Sequence, residues 1–182
     1  MDASAEQYDF AELCASTNYS FLEGASFPEE MVEAAAPLRY RALGICDRNG
    51  FYGSVRAHVA ASKRALPLVH GTTLAIDGLS PTRHPVLLAI NRTGYGDLCQ
   101  QVTRAHHRSR TAPTLSWNDI LDAASHTFCL VPVDVEAPWE LLRDAFGDRL
   151  FGLVTARQDG ADRRRWARAE AFERTQNLPV LF

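Results

Sequence analysis

The chain has 182 residues, 46% of them hydrophobic and 23% charged, with a net formal charge of −3, the proportions of one soluble domain with a real core. No stretch approaches the roughly 18 apolar residues of a membrane-spanning helix, and Met1-Asp2-Ala3-Ser4-Ala5-Glu6 lacks the features of a secretion signal, so the cytoplasm is the expected compartment. The negative balance also argues against broad coating of nucleic acid, which needs clustered Lys and Arg.

Short apolar runs alternate with helical patterns from end to end. Residues 11–16 predict a first strand. Ser26-Phe27-Pro28-Glu29 predicts a helix start, with Ser26 as cap, Pro28 in the first turn and Glu29 completing a capping box. Met31, Val32, Ala35 and Ala36 give that helix an apolar face, and Pro37 ends or kinks it. A second strand is expected over 42–46, then a polar turn at Asp47-Arg48-Asn49-Gly50 and a helix over about 51–65. Strands follow over 68–76, before the Asp77-Gly78 turn, and over 86–90, with a helix near 95–106. Ser116-Trp117-Asn118-Asp119 repeats the capping pattern. Two more strands, over 127–133 and 150–155, are each followed by helical sequence. A charged helix over about 161–176 carries Trp166, Ala169 and Phe172 or Glu173 on one face, and an apolar strand begins at 179–182. Strand and helix in alternation imply parallel strands joined by right-handed crossovers. Spacing alone leaves both a barrel and an open doubly wound sheet standing. No linker or repeat divides residues 1–182, so a single domain is expected.

Cys14, Cys46, Cys99 and Cys129 stand singly, without close pairs, and are expected to be reduced and structural. His70, on an apolar strand, is expected to be a satisfied core histidine. Arg104-Ala105-His106-His107-Arg108-Ser109-Arg110 is the densest basic run. Arg104, His107, Arg108 and Arg110 could touch a phosphate backbone, but cations at a helix C-terminus also complement its dipole, and no aromatic is interleaved for stacking. Arg163-Arg164-Arg165 near a helix start is offset by Asp159 and Asp162 and suits a solvated face.

Two stretches carry a family resemblance. Glu12-Leu13-Cys14-Ala15-Ser16-Thr17-Asn18-Tyr19-Ser20-Phe21-Leu22-Glu23-Gly24 and Cys46-Asp47-Arg48-Asn49-Gly50-Phe51-Tyr52-Gly53 resemble the opening of the polymerase and histidinol phosphatase (PHP) domain. Within that family the likeness is to the N-terminal PHP domain of bacterial DNA polymerase III alpha subunits, in their error-prone, damage-tolerant form. The resemblance implies an α/β fold, the distorted, seven-stranded relative of the TIM barrel. It also implies that the closing elements, with two further metal ligands, lie beyond Phe182, so the chain resembles a truncated domain with an unpaired sheet edge prone to self-association.

The resemblance also implies where metals would sit. Family histidines fall on Cys14, Ser16 and Arg48, a bridging acid on Thr73, a loop acid on Glu23 and a retained imidazole on His84. Cys14 could ligate only as thiolate, neutral Ser16 is a poor ligand, Arg48 offers no lone pair and Thr73 cannot bridge two cations. Glu23 serves equally as a solvated turn acid, and His84 as a plain loop histidine. The guanidinium of Arg48 could stand in the cation's place, paired with Asp47 or Glu23, or face solvent. No cofactor is expected; the alternative is a weakly held zinc or manganese.

The expected role is a non-catalytic domain of an error-prone polymerase, supporting synthesis past damaged DNA. Its partners would be the remaining polymerase domains, DNA through the parent protein, and other damage-tolerance components, with no membrane. Two alternatives stand: a working metal-dependent phosphoesterase or 3'-5' exonuclease using Cys14, Glu23, Asp47 and His84, and an independent binding module. No polymerase aspartates are recognised within the chain.

Overall fold

The structure, a computed structural model, describes residues 10–156 and 160–182. Asp159 and the N-terminal hexapeptide lie outside them. Contacts gather the chain into two compact units, Met1–Thr72 and Thr73–Phe182.

The first unit runs β1 (Glu12–Ala15), α1 (Pro28–Ala35), β2 (Leu43–Ile45), α2 (Ser54–Arg64) and β3 (Leu68–Thr73). Its strands are parallel, with Leu43 opposite Glu12 on one side and Leu68 on the other. β1 and β2 are each followed by a helix, the long connection that parallel neighbours require. Val32 and Ala35 of α1, Leu43 and Ile45 of β2, Ala57 and Ala61 of α2 and Leu66 form one buried cluster. Alanines four apart on α2 let two helices share that core without bulk between them.

The start of α1 differs from the expected capping box by one residue. Phe27, not Ser26, is the cap, and the Glu30 carboxylate accepts from the Phe27 N–H at 2.8 Å. The cause is Pro28: its ring drives the preceding residue into extended backbone, so Phe27 sits outside the helix and the third helical position falls on Glu30. β1 holds a bulge, its register passing from Glu12 opposite Leu43 to Ala15 opposite Ile45. The Cys14 N–H donates to the Glu12 side chain at 2.8 Å, and the Leu13 carbonyl accepts from the Cys46 thiol at 3.2 Å. Gly44 is needed opposite, because a Cβ there would collide with the Leu13 carbonyl.

The second unit contains β4 (Val86–Ala89), α3 (Arg92–Arg108), α4 (Trp117–Ile120), β5 (Thr127–Pro132), α5 (Trp139–Phe146), β6 (Leu150–Leu153), α6 (Asp162–Gln176) and β7 (Val180–Leu181). Leu87, Leu98, Ile120, Leu130, Leu142, Phe146 and Leu150 are fully buried in it. β5, β6 and β7 are parallel. The expectation of parallel strands throughout fails at β4, which pairs antiparallel with β5, Ala89 facing Thr127. One crossover helix carries a chain back to the other end of a sheet. Here two helical segments, α3 and then α4 with the 3-10 turn Leu121–His126, bring it back to the end it left. Gly94 in the first turn of α3 lies so close to the His126 carbonyl that any Cβ would clash, which holds departure and return together. Asn91 caps α3 by accepting from the Gly94 N–H at 3.0 Å and starts it three residues before the expected Tyr95.

The Ser116-Asp119 capping box forms as its spacing predicts. The third strand ends at Thr73 rather than at 76; Ile76 instead bridges to Leu115. On α6, Ala169 and Phe172 are buried, while Trp166 remains 42% exposed and stacks on Phe182 at 4.3 Å. Arg165 pairs with Asp162 one turn earlier. Among the described residues no helix is long and apolar enough to cross a membrane.

Candidate functional site

In the first unit the loops after β1 and β2 meet on Asp47. Its side chain is fully buried and accepts from the Thr17 N–H at 2.8 Å, the Thr17 hydroxyl at 2.8 and 2.9 Å, the Ser20 hydroxyl at 2.8 Å and the Gly53 N–H at 2.8 Å. Two carboxylate oxygens offer about four lone-pair directions, so these donors leave none for a cation. The network extends outward. Ser20 Oγ accepts from the Arg48 N–H at 3.0 Å, and the Thr72 hydroxyl donates to the Asp47 carbonyl while accepting from the Gly50 N–H. Gly53 is fixed by space, since a Cβ there would come 2.6 Å from Thr17 Cγ2 and 2.9 Å from Asp47 Oδ2.

Arg48 turns to Glu23, Nη1 to Oε1 at 2.8 Å, with the two side chains 32% and 24% exposed. Glu23 and Arg48 thus form a partly exposed ion pair, and Asp47, next to Arg48 in the chain, is a buried carboxylate held by neutral donors. Cys14 sits on the β1 bulge and Ser16 just past the strand end. Burial, and behind it the charge of Glu12, push the Cys14 thiol up to about 12, while burial drives Cys46 well above its ordinary value. Neither is a thiolate at neutral pH, and the thiolate is the metal-binding form.

Thr73, the last residue of β3 and the first of the second unit, is half-buried, and His84 in that unit is buried. The His84 Nδ1 accepts from the Ile76 N–H at 3.2 Å. That leaves the ring proton on Nε2. A ligating histidine has the opposite arrangement, donating through one nitrogen to free the other's lone pair. The donor set therefore does not fit the multinuclear metal centre that the family resemblance implies.

The basic run at the end of α3 is largely spent within the second unit. Asp119 takes Arg108 at 2.5 and 2.8 Å and Arg104 at 3.4 Å, and Asp122 takes Arg104 at 2.8 Å. Arg108 beside it holds the Asp119 carboxyl well below the usual carboxylate range. His107 and Arg110 are exposed. His70 is half-buried, its Nδ1 3.3 Å from Ser54 Oγ. Thr17, Ser20, Gly53 and Thr72 escaped the sequence reading as site residues, because isolated hydroxyls and a glycine have no period.

With this geometry in place, comparison with known proteins defines the class. The family profile of the PHP domain matches residues 12–173, and the chain belongs to that family. The chain is 39% identical over 183 residues to the error-prone DNA polymerase of Anaeromyxobacter dehalogenans strain 2CP-1, a match spanning 94% of this chain and 16% of that protein. It is 40% identical over 131 residues to the error-prone DNA polymerase of Bordetella parapertussis, covering 71% of this chain and 11% of the other. Error-prone DNA polymerase 1 of Rhizobium meliloti is 35% identical over 184 residues, again 94% of this chain and 16% of the relative. The matched segments thus span 11% to 16% of the length of these relatives.

Among solved structures, a candidate metal-dependent phosphoesterase from Bifidobacterium adolescentis superposes with a TM-score of 0.64 at 12% identity, covering 95% of this chain and 86% of that one. An amidohydrolase from Chromobacterium violaceum gives 0.59 at 14%, covering 93% and 84%. At such identities these likenesses establish the fold alone: α/β, of the distorted TIM-like kind with an incomplete barrel.

Proposed function

We propose that this chain acts as a non-catalytic PHP domain of an error-prone, DNA polymerase III alpha-type protein. It supports DNA synthesis past damage as a structural and interaction module in the cytoplasm. Its partners are the other domains of that polymerase, DNA through the parent protein, and other damage-tolerance components. Residues 1–182 serve as one such domain. The observation that carries the reading is the closure of Asp47: a fully buried carboxylate whose acceptor directions are all taken by Thr17, Ser20 and Gly53 has none left for a water-activating ion. Arg48 supports it, since a guanidinium fixed on Glu23 places permanent positive charge where the family would hold a ligand. Kinship with error-prone polymerases supplies the setting.

The test is hydrolysis of a generic phosphodiester by the purified chain with manganese or zinc added. The expected rate equals that of buffer with metal alone. Turnover above that level, abolished by His84→Ala, would replace this proposal with an active phosphoesterase.

A further inference from the structure

The second unit leaves a group of cations unspent. Arg104 and Arg108 on α3 are bound to Asp119 and Asp122. On α6 the pattern is the opposite: Arg163, Arg164 and Arg168 are exposed, and among the described residues none of the three has an ion pair. Asp162 beside them is taken by Arg165. Nothing in the folding of α6 asks for these charges, since positive charge in the first turn opposes the helix dipole and the buried face is supplied by Ala169 and Phe172.

Helical spacing lays the side chains out in order. Trp166 neighbours Arg163 three residues earlier, Arg164 neighbours Arg168 four residues later, and exposed Ala167 lies between the two pairs without bulk. The result is a band across the first two turns of α6, with an indole at one edge and guanidiniums along the rest. Trp166 is 42% exposed although one face of it stacks on Phe182 at 4.3 Å and 14°. Glu170 and Glu173, farther along the helix, bound the band. The basic run at the end of α3 has no such interleaved aromatic between residues 104 and 110.

We infer that this band binds single-stranded DNA, the guanidiniums of Arg163, Arg164 and Arg168 meeting phosphates and the Trp166 indole stacking on a base. A planar guanidinium matches phosphate, and an aromatic face accepts any base, so the contact is tolerant of sequence. An acidic polypeptide would leave the indole unused, and a duplex keeps its bases stacked inside; a single strand engages both parts of the band. Four arginines against one aspartate over residues 162–168 concentrate positive charge at this end of the helix, a local footprint in a chain of net charge −3. The choice of DNA over RNA rests on kinship with DNA polymerases. The inference goes beyond the proposed role, in which DNA is reached through the parent protein, and that role would stand without it.

Fluorescence anisotropy of a labelled oligothymidylate of about 16 nucleotides, the upper site size of such surfaces, titrated with the whole chain tests this. Binding should appear at low salt and weaken with a slope of about −2 in log affinity against log salt, as three phosphate contacts to a single strand require. Arg164→Gln/Arg168→Gln, at exposed positions that leave the fold intact, should flatten the slope to about −0.7. Trp166→Ala should weaken binding about fivefold or more with the slope unchanged. Arg110→Gln, exposed beyond α3, controls for general electrostatics and should bind as the parent does. No binding by the parent, an unchanged slope in the double variant, an unchanged affinity in Trp166→Ala or an equal loss in Arg110→Gln overturns the proposal. So does a duplex of the same length, or polyglutamate, that competes as strongly as the single strand.

Discussion

Two aspartates in this molecule each gather several donors, by opposite chemistry. Asp47 in the first unit is fully buried and bound by hydroxyl and amide groups alone. Asp119 in the second has a side chain 11% exposed and is gripped by Arg104 and Arg108. An ion pair near water has little net worth, because solvation, salt and side-chain entropy compete with it. A buried carboxylate lacks water altogether and depends on every donor it has. The first arrangement ties two loops together, and the second trims a basic surface.

The largest effect that separates them is expected at Asp47. Asp47→Ala strands the buried Thr17 and Gly53 amides and two hydroxyls, at about 1–3 kcal/mol for each group left unsatisfied. Some relaxation brings the expected loss to about 3–5 kcal/mol in urea unfolding, insensitive to salt. A loss below about 1 kcal/mol would mean that the network does not hold the loops.

Asp119→Ala comes next, at about 1–2 kcal/mol, since it removes the return half of the Ser116 capping box as well as both arginine contacts. Its signature is pH. The folded carboxyl is held below its unfolded value, so its contribution is full above about pH 4 and fades on acidification below that. Parent and variant stabilities measured from pH 7 to pH 2 should converge at the acid end, and added salt should shrink the gap at neutral pH. A gap that is constant with pH would assign the effect to packing instead.

The smallest effect is expected at Arg48→Met, within about 0.5–1 kcal/mol, because the pair with Glu23 is partly exposed and the aliphatic stem is retained. A change as large as that at Asp47 would show Arg48 to be an integral part of the buried network.

Sequence showed much of the fold and less of the site. Element order was visible because the periods of strand and helix are physical properties of the chain, and Ser116 with Asp119 announced its own cap. Phe27 was hidden because proline shifts the boundary by acting on its neighbour. The antiparallel β4 was hidden because the length of a connection does not say how often it turns back. Family likeness drew attention to Arg48 and Glu23, which the structure pairs. It was silent on Thr17 and Ser20, whose bonds to Asp47 span 30 and 27 residues and leave no local pattern.

The raised thiols have a practical side. Burial lifts all four cysteines above their ordinary value: Cys14 to about 12, with Cys46, Cys99 and Cys129 also raised. Electrophiles and peroxide attack the deprotonated sulfur, so these four thiols should react slowly with either at neutral pH.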